Sequence, residues 1–252
     1  LRAAATPLWD ADVWWILRAG ENALSEWHVP RESRFSFIAP EHPWVMHEWL
    51  FGVAYAALHH AAGLAALALV RVATVAVAVW AMLRRAGRDA HPVVALACVA
   101  FALIVYGDRF ESPRPVGVSY AFALVVASLA FDASPRPRHA LALACTMLVW
   151  TNAHGSFPLG LVTIALAALL PEARRVRRAA LVASLAATLV NPYGLAMHGL
   201  VGRYVSASSR DATALVHARI LEWHPLLRDP LRVASIPALG GAVVLLVVWL
   251  YA

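Results

Sequence analysis

Two aspartates one residue apart, Asp10 and Asp12, stand beside Trp14 and Trp15 near the start of this chain. Paired carboxylates either hold Mg²⁺ or Mn²⁺ against a phosphate, or divide the work of proton acceptor and charge stabiliser. The plainer reading is that Asp12 caps a helix beginning at Val13, with Asp10 solvated beside it. His47-Glu48-Trp49 sets an imidazole next to a carboxylate, either to orient an acceptor and hold a proton or to cap a helix that Trp49 anchors at an interface. Arg109 and Arg114 lie in the polar stretch 107–115, stiffened by Pro113 and Pro115. A guanidinium grips phosphate through two parallel hydrogen bonds, although Asp108 and Glu111 are nearby partners. Asn152 and His154 interrupt an apolar stretch, where polar groups are costly unless paired or used. Gly155 and Gly160 beside them permit close helix approach. Asn191 ends another apolar run in Asn191-Pro192-Tyr193-Gly194, which also reads as ordinary helix punctuation. His217, Glu222 and His224 would help close a substrate pocket, but their spacing matches no zinc motif. No Walker loop, GxGxxG fingerprint, G-x-S-x-G elbow or HExxH helix occurs, which argues against ATP hydrolysis, Rossmann cofactors, serine lipase chemistry and zincin proteolysis.

The elements that must position these groups are membrane elements by composition. The 252 residues are 61% hydrophobic and only 14% charged, with mean hydropathy +0.65, where a soluble domain carries about 25% charged residues. This excludes disorder, and 2 Cys exclude a disulfide scaffold. Cys98 and Cys145 lie in apolar runs and read as small buried hydrophobes. The formal charge is +6, and every basic residue is Arg. These arginines cluster in short loops between apolar runs, which points to membrane topology and not to nucleic acid.

The expected fold is all-α, a polytopic transmembrane helix bundle. Residues 1–49 form an external interfacial segment, with six of the 10 Trp, a short amphipathic helix from Val13 to about Leu24 and an extended piece from Phe35 to Ile38. Residues 50–252 form the bundle. A helix over 49–60 reaches the interface, and apolar runs follow at 63–83 (despite Arg71), 92–106, 116–131, 139–151, 157–170, 179–190 and 234–252. The chain begins at Leu1 and stops inside an apolar run, so truncation at both ends is expected. With the Arg-rich loops 84–91, 132–138 and 171–178 on the cytoplasmic side, the pieces 1–49, 107–115, 152–156 and 191–233 face outward. They carry nearly all the acidic and histidine residues outside the basic loops, as an extracytoplasmic site would need.

Several stretches together resemble a known group. Asp10-Ala11-Asp12-Val13-Trp14-Trp15 with Arg18-Ala19-Gly20-Glu21 is similar to the first external segment of bacterial polytopic membrane proteins related to the GT-C type glycosyltransferases, the polyprenyl-phosphate-mannose and oligosaccharyltransferase-like superfamily. The likeness continues at Pro30, Phe35-Ser36-Phe37, Ala39-Pro40, Pro43-Trp44-Val45 and His47-Glu48-Trp49-Leu50. It resumes at Arg114-Pro115, Asn152-Ala153-His154-Gly155 with Gly160, and Asn191-Pro192-Tyr193-Gly194. The resemblance implies an inner-membrane, multi-pass enzyme that moves a sugar from a polyprenyl-phosphate-linked donor to an extracytoplasmic acceptor. Asp10 and Asp12 would be its catalytic acids, with Mg²⁺ or Mn²⁺ in some relatives. His47, Glu48, Arg109, Arg114, Asn152, His154, Asn191 and His224 would surround the substrate. The span expected before the acidic segment is missing here, as are later spans. The partners implied are the lipid bilayer, the lipid-linked sugar and other membrane proteins. The competing readings are a non-catalytic accessory or scaffold subunit and a transporter of lipid-linked sugar.

Overall fold

The computed structural model describes residues 11–35, 43–86, 91–110 and 114–205. These contain eight helices and no strand: α1 (Ala11–Glu26), α2 (Trp49–Ala86), α3 (Pro92–Phe110), α4 (Pro115–Ala130), α5 (Pro137–Ala153), α6 (Pro158–Ala167), α7 (Arg174–Thr188) and α8 (Leu195–Val205). The all-α expectation holds. Four helices open on a proline, whose fixed φ and missing N–H suit a first turn. The apolar run 234–252 lies outside the described residues, as does most of the extended piece expected from Phe35 to Ile38.

Two boundaries differ from expectation. α1 begins at Ala11, so Asp12 sits inside its first turn and is not the residue before the helix. α3 continues through Gly107 and Asp108 to Phe110, which puts Arg109 in its last turn and not in a loop. Nothing before Pro113 removes a backbone donor, so the helix runs on past the apolar residues.

α2 is the one helix, among the described residues, long and apolar enough to cross a membrane; the qualifying stretch is Trp49–Arg85. Shorter apolar helices cover Pro92–Leu103, Pro115–Ala130 and Pro158–Ala167. α2 is not straight. Ala62 (φ −147°, ψ 20°) and Gly63 (φ 60°, ψ −152°) leave helical geometry, and the positive φ is one that glycine adopts without strain. Tyr55 and Leu67 consequently share one apolar cluster with Val13, Ile16, Phe51 and Ala153. In an unbroken helix those two residues would stand about 18 Å apart along the axis. The first arm packs against α1 at Gly20 and Gly52, where a Cβ on Gly20 would fall 1.9 Å from the Gly52 carbonyl oxygen. The second arm lies along α4.

The bundle has two chemically distinct ends. At one, Arg84 at the end of α2 pairs with Asp132 (3.2 Å), and Arg177 of α7 donates to the carbonyls of Ala130 (2.7 Å) and Asp132 (3.1 Å). The three Arg-rich turns are thereby gathered. α4 leads away from the other end and α5 returns to it, and a 16-residue helix spans about 24 Å.

One helix, α7, is turned inside out: it buries Arg177, Ala180, Ser184 and Thr188, while Val182 and Leu185 are exposed. α4 buries small and hydroxyl residues, Gly117, Ser119, Ala121, Ser128 and Ala130, together with Val126 and Leu129. Small and hydroxyl side chains let helix backbones approach. Cys145 and Cys98, expected inside their apolar runs, are exposed and half-buried respectively. The core is built around Trp150, Met147, Phe157, Ile164 and Met197, with Phe122 stacked on Trp150.

Candidate functional site

At the end opposite the Arg-rich turns, the starts of α1, α2 and α4 meet the end of α5. Glu48 precedes α2, and its carbonyl accepts the Gly52 N–H (2.9 Å). Arg114 is the residue before α4, in extended conformation, with Pro115 following. His154 closes α5: its N–H still donates to the Trp150 carbonyl, but its own backbone is extended (φ −165°, ψ 144°), which turns the chain out of the helix.

This convergence brings distant groups together. Asp12 Oδ2 lies 3.3 Å from Arg114 Nη1, and Asp12 Oδ1 accepts from Trp15 Nε1 (3.1 Å). Trp15 in turn meets Phe35 and Trp44 in a three-ring cluster. Alongside, Glu48 Oε1 is 3.0 Å from His47 Nε2 and 3.9 Å from His154 Nε2. The two imidazoles face each other at 5.9 Å. A Cβ on Gly155 would stand 3.1 Å from His47 Cδ2, so only a glycine leaves that ring its present room.

The rear of His154 is held by groups that the sequence does not single out. Its Nδ1 lies 2.9 Å from Ser119 Oγ and 2.8 Å from Ser156 Oγ. Trp150 Nε1 donates to both hydroxyls. Ser119 is on α4 and 35 residues from His154, so no spacing links them. The Ser156 contact lies two residues away and was within reach of the sequence.

Burial pushes Glu48 up, but the hydrogen bond and charge of His47, with the charges of His154 and Arg114, outweigh it and leave the carboxyl below its ordinary 4.5. Burial also holds His154 neutral, down at about 4; the Glu48 charge opposes this and His47 adds to it. Both folded-state values lie below the unfolded ones. Each group therefore contributes stability that is present above its unfolded pKa and is lost on acidification. For His154 the window runs from 6.5 down to about 4. The melting temperature measured with EDTA present is expected to fall through that window, and to fall less steeply in His154→Gln. Equal slopes would contradict the assignment.

Other candidates are placed elsewhere or spent on structure. Asn152 accepts from Trp49 Nε1 (2.8 Å) and donates to the carbonyls of Leu148 and Val190. Its amide thus ties α2, α5 and the end of α7 together, and Trp49 is an internal donor, not only an interfacial anchor. Asn191 is used within its own turn, donating to Thr188 and Gly194 and accepting from the Tyr193 N–H. Tyr193 was not foreseen: its hydroxyl donates to the Pro30 carbonyl (2.6 Å) and accepts from the Met46 N–H (3.1 Å). Arg31 donates to the Pro192 carbonyl. Together they clamp the connector over the bundle. Asp10, His217, Glu222 and His224 lie outside the described residues.

Comparison with family models, curated proteins and solved structures finds no match. The chemistry of this site is therefore argued from its own atoms. Asp12 meets the Arg114 guanidinium and the Trp15 indole N–H, and Asp10, its expected companion toward Mg²⁺ or Mn²⁺, lies outside the described residues. Among the described residues, the group whose ligand atoms come close enough to share a metal ion is His47, Glu48 and His154.

Proposed function

We propose that this chain is a multi-pass inner-membrane protein of GT-C type that transfers a sugar from a polyprenyl-phosphate-linked donor to an acceptor on the extracytoplasmic face. The observation that carries this reading is the gathering of Asp12, Arg114, His47, Glu48 and His154 at one end of the bundle, away from the Arg-rich turns. Residues from four separated stretches have no structural need to meet there, whereas a site at the membrane surface requires it.

Three features support it further. The exterior is apolar on nearly every helix, with Leu64, Leu69, Val93, Leu141, Leu159 and Val182 each more than half exposed, and bilayer lipid is the medium that accepts such a surface. The basic turns lie at the far end, as cytoplasmic loops do. The N-termini of α1, α2 and α4 converge beside Arg114, and helix N-termini with a guanidinium favour a phosphate.

In this reading Arg114 binds the donor phosphate. The acceptor hydroxyl attacks the anomeric carbon, the bond from that carbon to the phosphate oxygen breaks, and polyprenyl phosphate leaves. Asp12, nearly half exposed, takes the hydroxyl proton, and Trp15, Phe35 and Trp44 offer ring faces to a sugar. General-base help is worth roughly 10²–10⁴-fold. Asp12→Asn is therefore expected to lower transfer from a radiolabelled polyprenyl-phosphate sugar at least about a hundredfold, with membrane insertion unchanged.

The ion pair between Asp12 and Arg114 also favours a second reading, an accessory subunit in which the pair is purely structural. The same assay separates the two. If Asp12→Asn lowers thermal stability and wild-type membranes transfer no sugar, the accessory reading stands.

A further inference from the structure

We propose that His47, Glu48 and His154 bind one divalent transition-metal ion of the Zn²⁺ class. This goes beyond the transferase reading and does not rest on it.

The argument begins with geometry. The ligand atoms of the three residues all lie within 4.8 Å of one another, with Glu48 Oε1 at 3.0 Å from His47 Nε2 and 3.9 Å from His154 Nε2. Bonds of about 2.0–2.2 Å to one ion require ligand atoms roughly 3.0–3.5 Å apart. Of the three pairs, His47–Glu48 already meets this, Glu48–His154 reaches it by a shift of under about 1 Å, and the two imidazole nitrogens, no more than 4.8 Å apart, by one of under about 2 Å.

The second observation is independent of those distances. Glu48 is buried, and its other oxygen, Oε2, has no hydrogen-bond partner among the described residues. A buried unsatisfied carboxylate oxygen is costly, and a bound cation relieves it. A proton shared between His47 and Glu48 would explain the short contact. It would explain neither the orphaned oxygen nor the second imidazole turned toward the same carboxylate.

The third is the support behind His154. A metal-bound histidine coordinates through one nitrogen while the other bonds a polar partner that fixes the ring. Here Nε2 faces Glu48, and Nδ1 lies against the Ser119 and Ser156 hydroxyls, themselves held by Trp150, and accepts the Ser156 N–H at 3.3 Å. With a metal on Nε2 the ring carries its proton on Nδ1, donates it to one of the hydroxyls and gives up that long N–H contact. Two imidazoles and one carboxylate suit Zn²⁺, Co²⁺ or Fe²⁺ better than Mg²⁺ or Ca²⁺, and three protein ligands leave a position open.

The test uses the full chain in nanodiscs, without a histidine tag, stripped with EDTA and titrated with Co²⁺. One equivalent of Co²⁺ is expected to give visible d–d absorption that Zn²⁺ then bleaches. Glu48→Gln and His154→Gln should each weaken Co²⁺ binding at least about a hundredfold, and Ser119→Ala about 10–100-fold. His28→Gln, which alters an exposed imidazole, should leave it unchanged. Should the Gln variants fail to fold, His154→Cys decides: a sulfur-to-cobalt charge-transfer band supports the site, and its absence overturns it. The proposal is also overturned if wild type gives no stoichiometric spectrum, or if Glu48→Gln and His154→Gln fold normally and bind Co²⁺ as wild type does.

Discussion

Replacing Arg177 with methionine is expected to destabilise the bundle by about 3–5 kcal/mol. Arg177 is 5% exposed. Its guanidinium donates to the carbonyls of Ala130 (2.7 Å), Glu172 (3.0 Å), Asp132 (3.1 Å) and Ala167 (3.5 Å). Ala130 ends α4 and Ala167 ends α6. The last carbonyls of a helix have no partner within it and carry the negative end of its dipole. One side chain therefore satisfies two helix C-termini and the turn between α4 and α5. Methionine fills the space but leaves the carbonyls of Ala130, Asp132 and Glu172 without this donor, while Ala167 keeps the Leu170 N–H (3.1 Å). Lysine keeps the charge yet lacks the planar fork that reaches several acceptors at once, so Arg177→Lys should recover less than half of the loss. Equilibrium unfolding in mixed micelles, followed by circular dichroism, measures both. A loss below about 1 kcal/mol for methionine would show that the carbonyls find other partners.

Truncating Trp150 to alanine is expected to cost a similar amount, about 3–5 kcal/mol, and to disturb the site as well. Trp150 is fully buried. Its ring is stacked with Phe122 at 5.8 Å, and a Cβ on Gly160 would fall 2.7 Å from its Cζ3. Removing it leaves a cavity that the surrounding helices close only in part. It also strips the indole donor from Ser119 and Ser156, which hold His154. Trp150→Phe separates the effects, since it keeps one aromatic ring and most of the volume while removing the N–H donor. A phenylalanine variant as unstable as the alanine one would assign the loss to the hydrogen bonds and not to packing.

What could be read from the sequence was the all-helical class, set by the long apolar runs. The apolar runs and the polar breaks between them appear as helices and their ends from Trp49 to Thr188, and Asp12, His47, Glu48, Arg114 and His154 meet at one end. The bend at Ala62 and Gly63 falls where the reading separated 49–60 from 63–83. Which face of each helix points inward was not legible. With Val182 and Leu185 outside and Ser184 inside, apolar spacing does not mark the inward face of α7, although large apolar side chains such as Trp150, Met147 and Phe157 do fill the core. In sequence Asp12 offers either a helix cap or a catalytic carboxylate; its ion pair with Arg114, about a hundred residues later in the chain, is not legible from spacing. Asn152 was grouped with His154 because both interrupt the same run. On the helix they separate: Asn152 turns to Trp49 and Val190, and His154 to Glu48.

The Tyr193 clasp has a temporal consequence. Its two bonds reach back to Pro30 and Met46, the latter 147 residues earlier. At a synthesis rate of about 5–20 residues per second, the ribosome needs roughly 7–30 s to cover that distance. During this interval the connector has already emerged but lacks the phenol that secures it. The connector's attachment at Pro30 and Met46 is thus among the last parts of this region to be fastened during biogenesis.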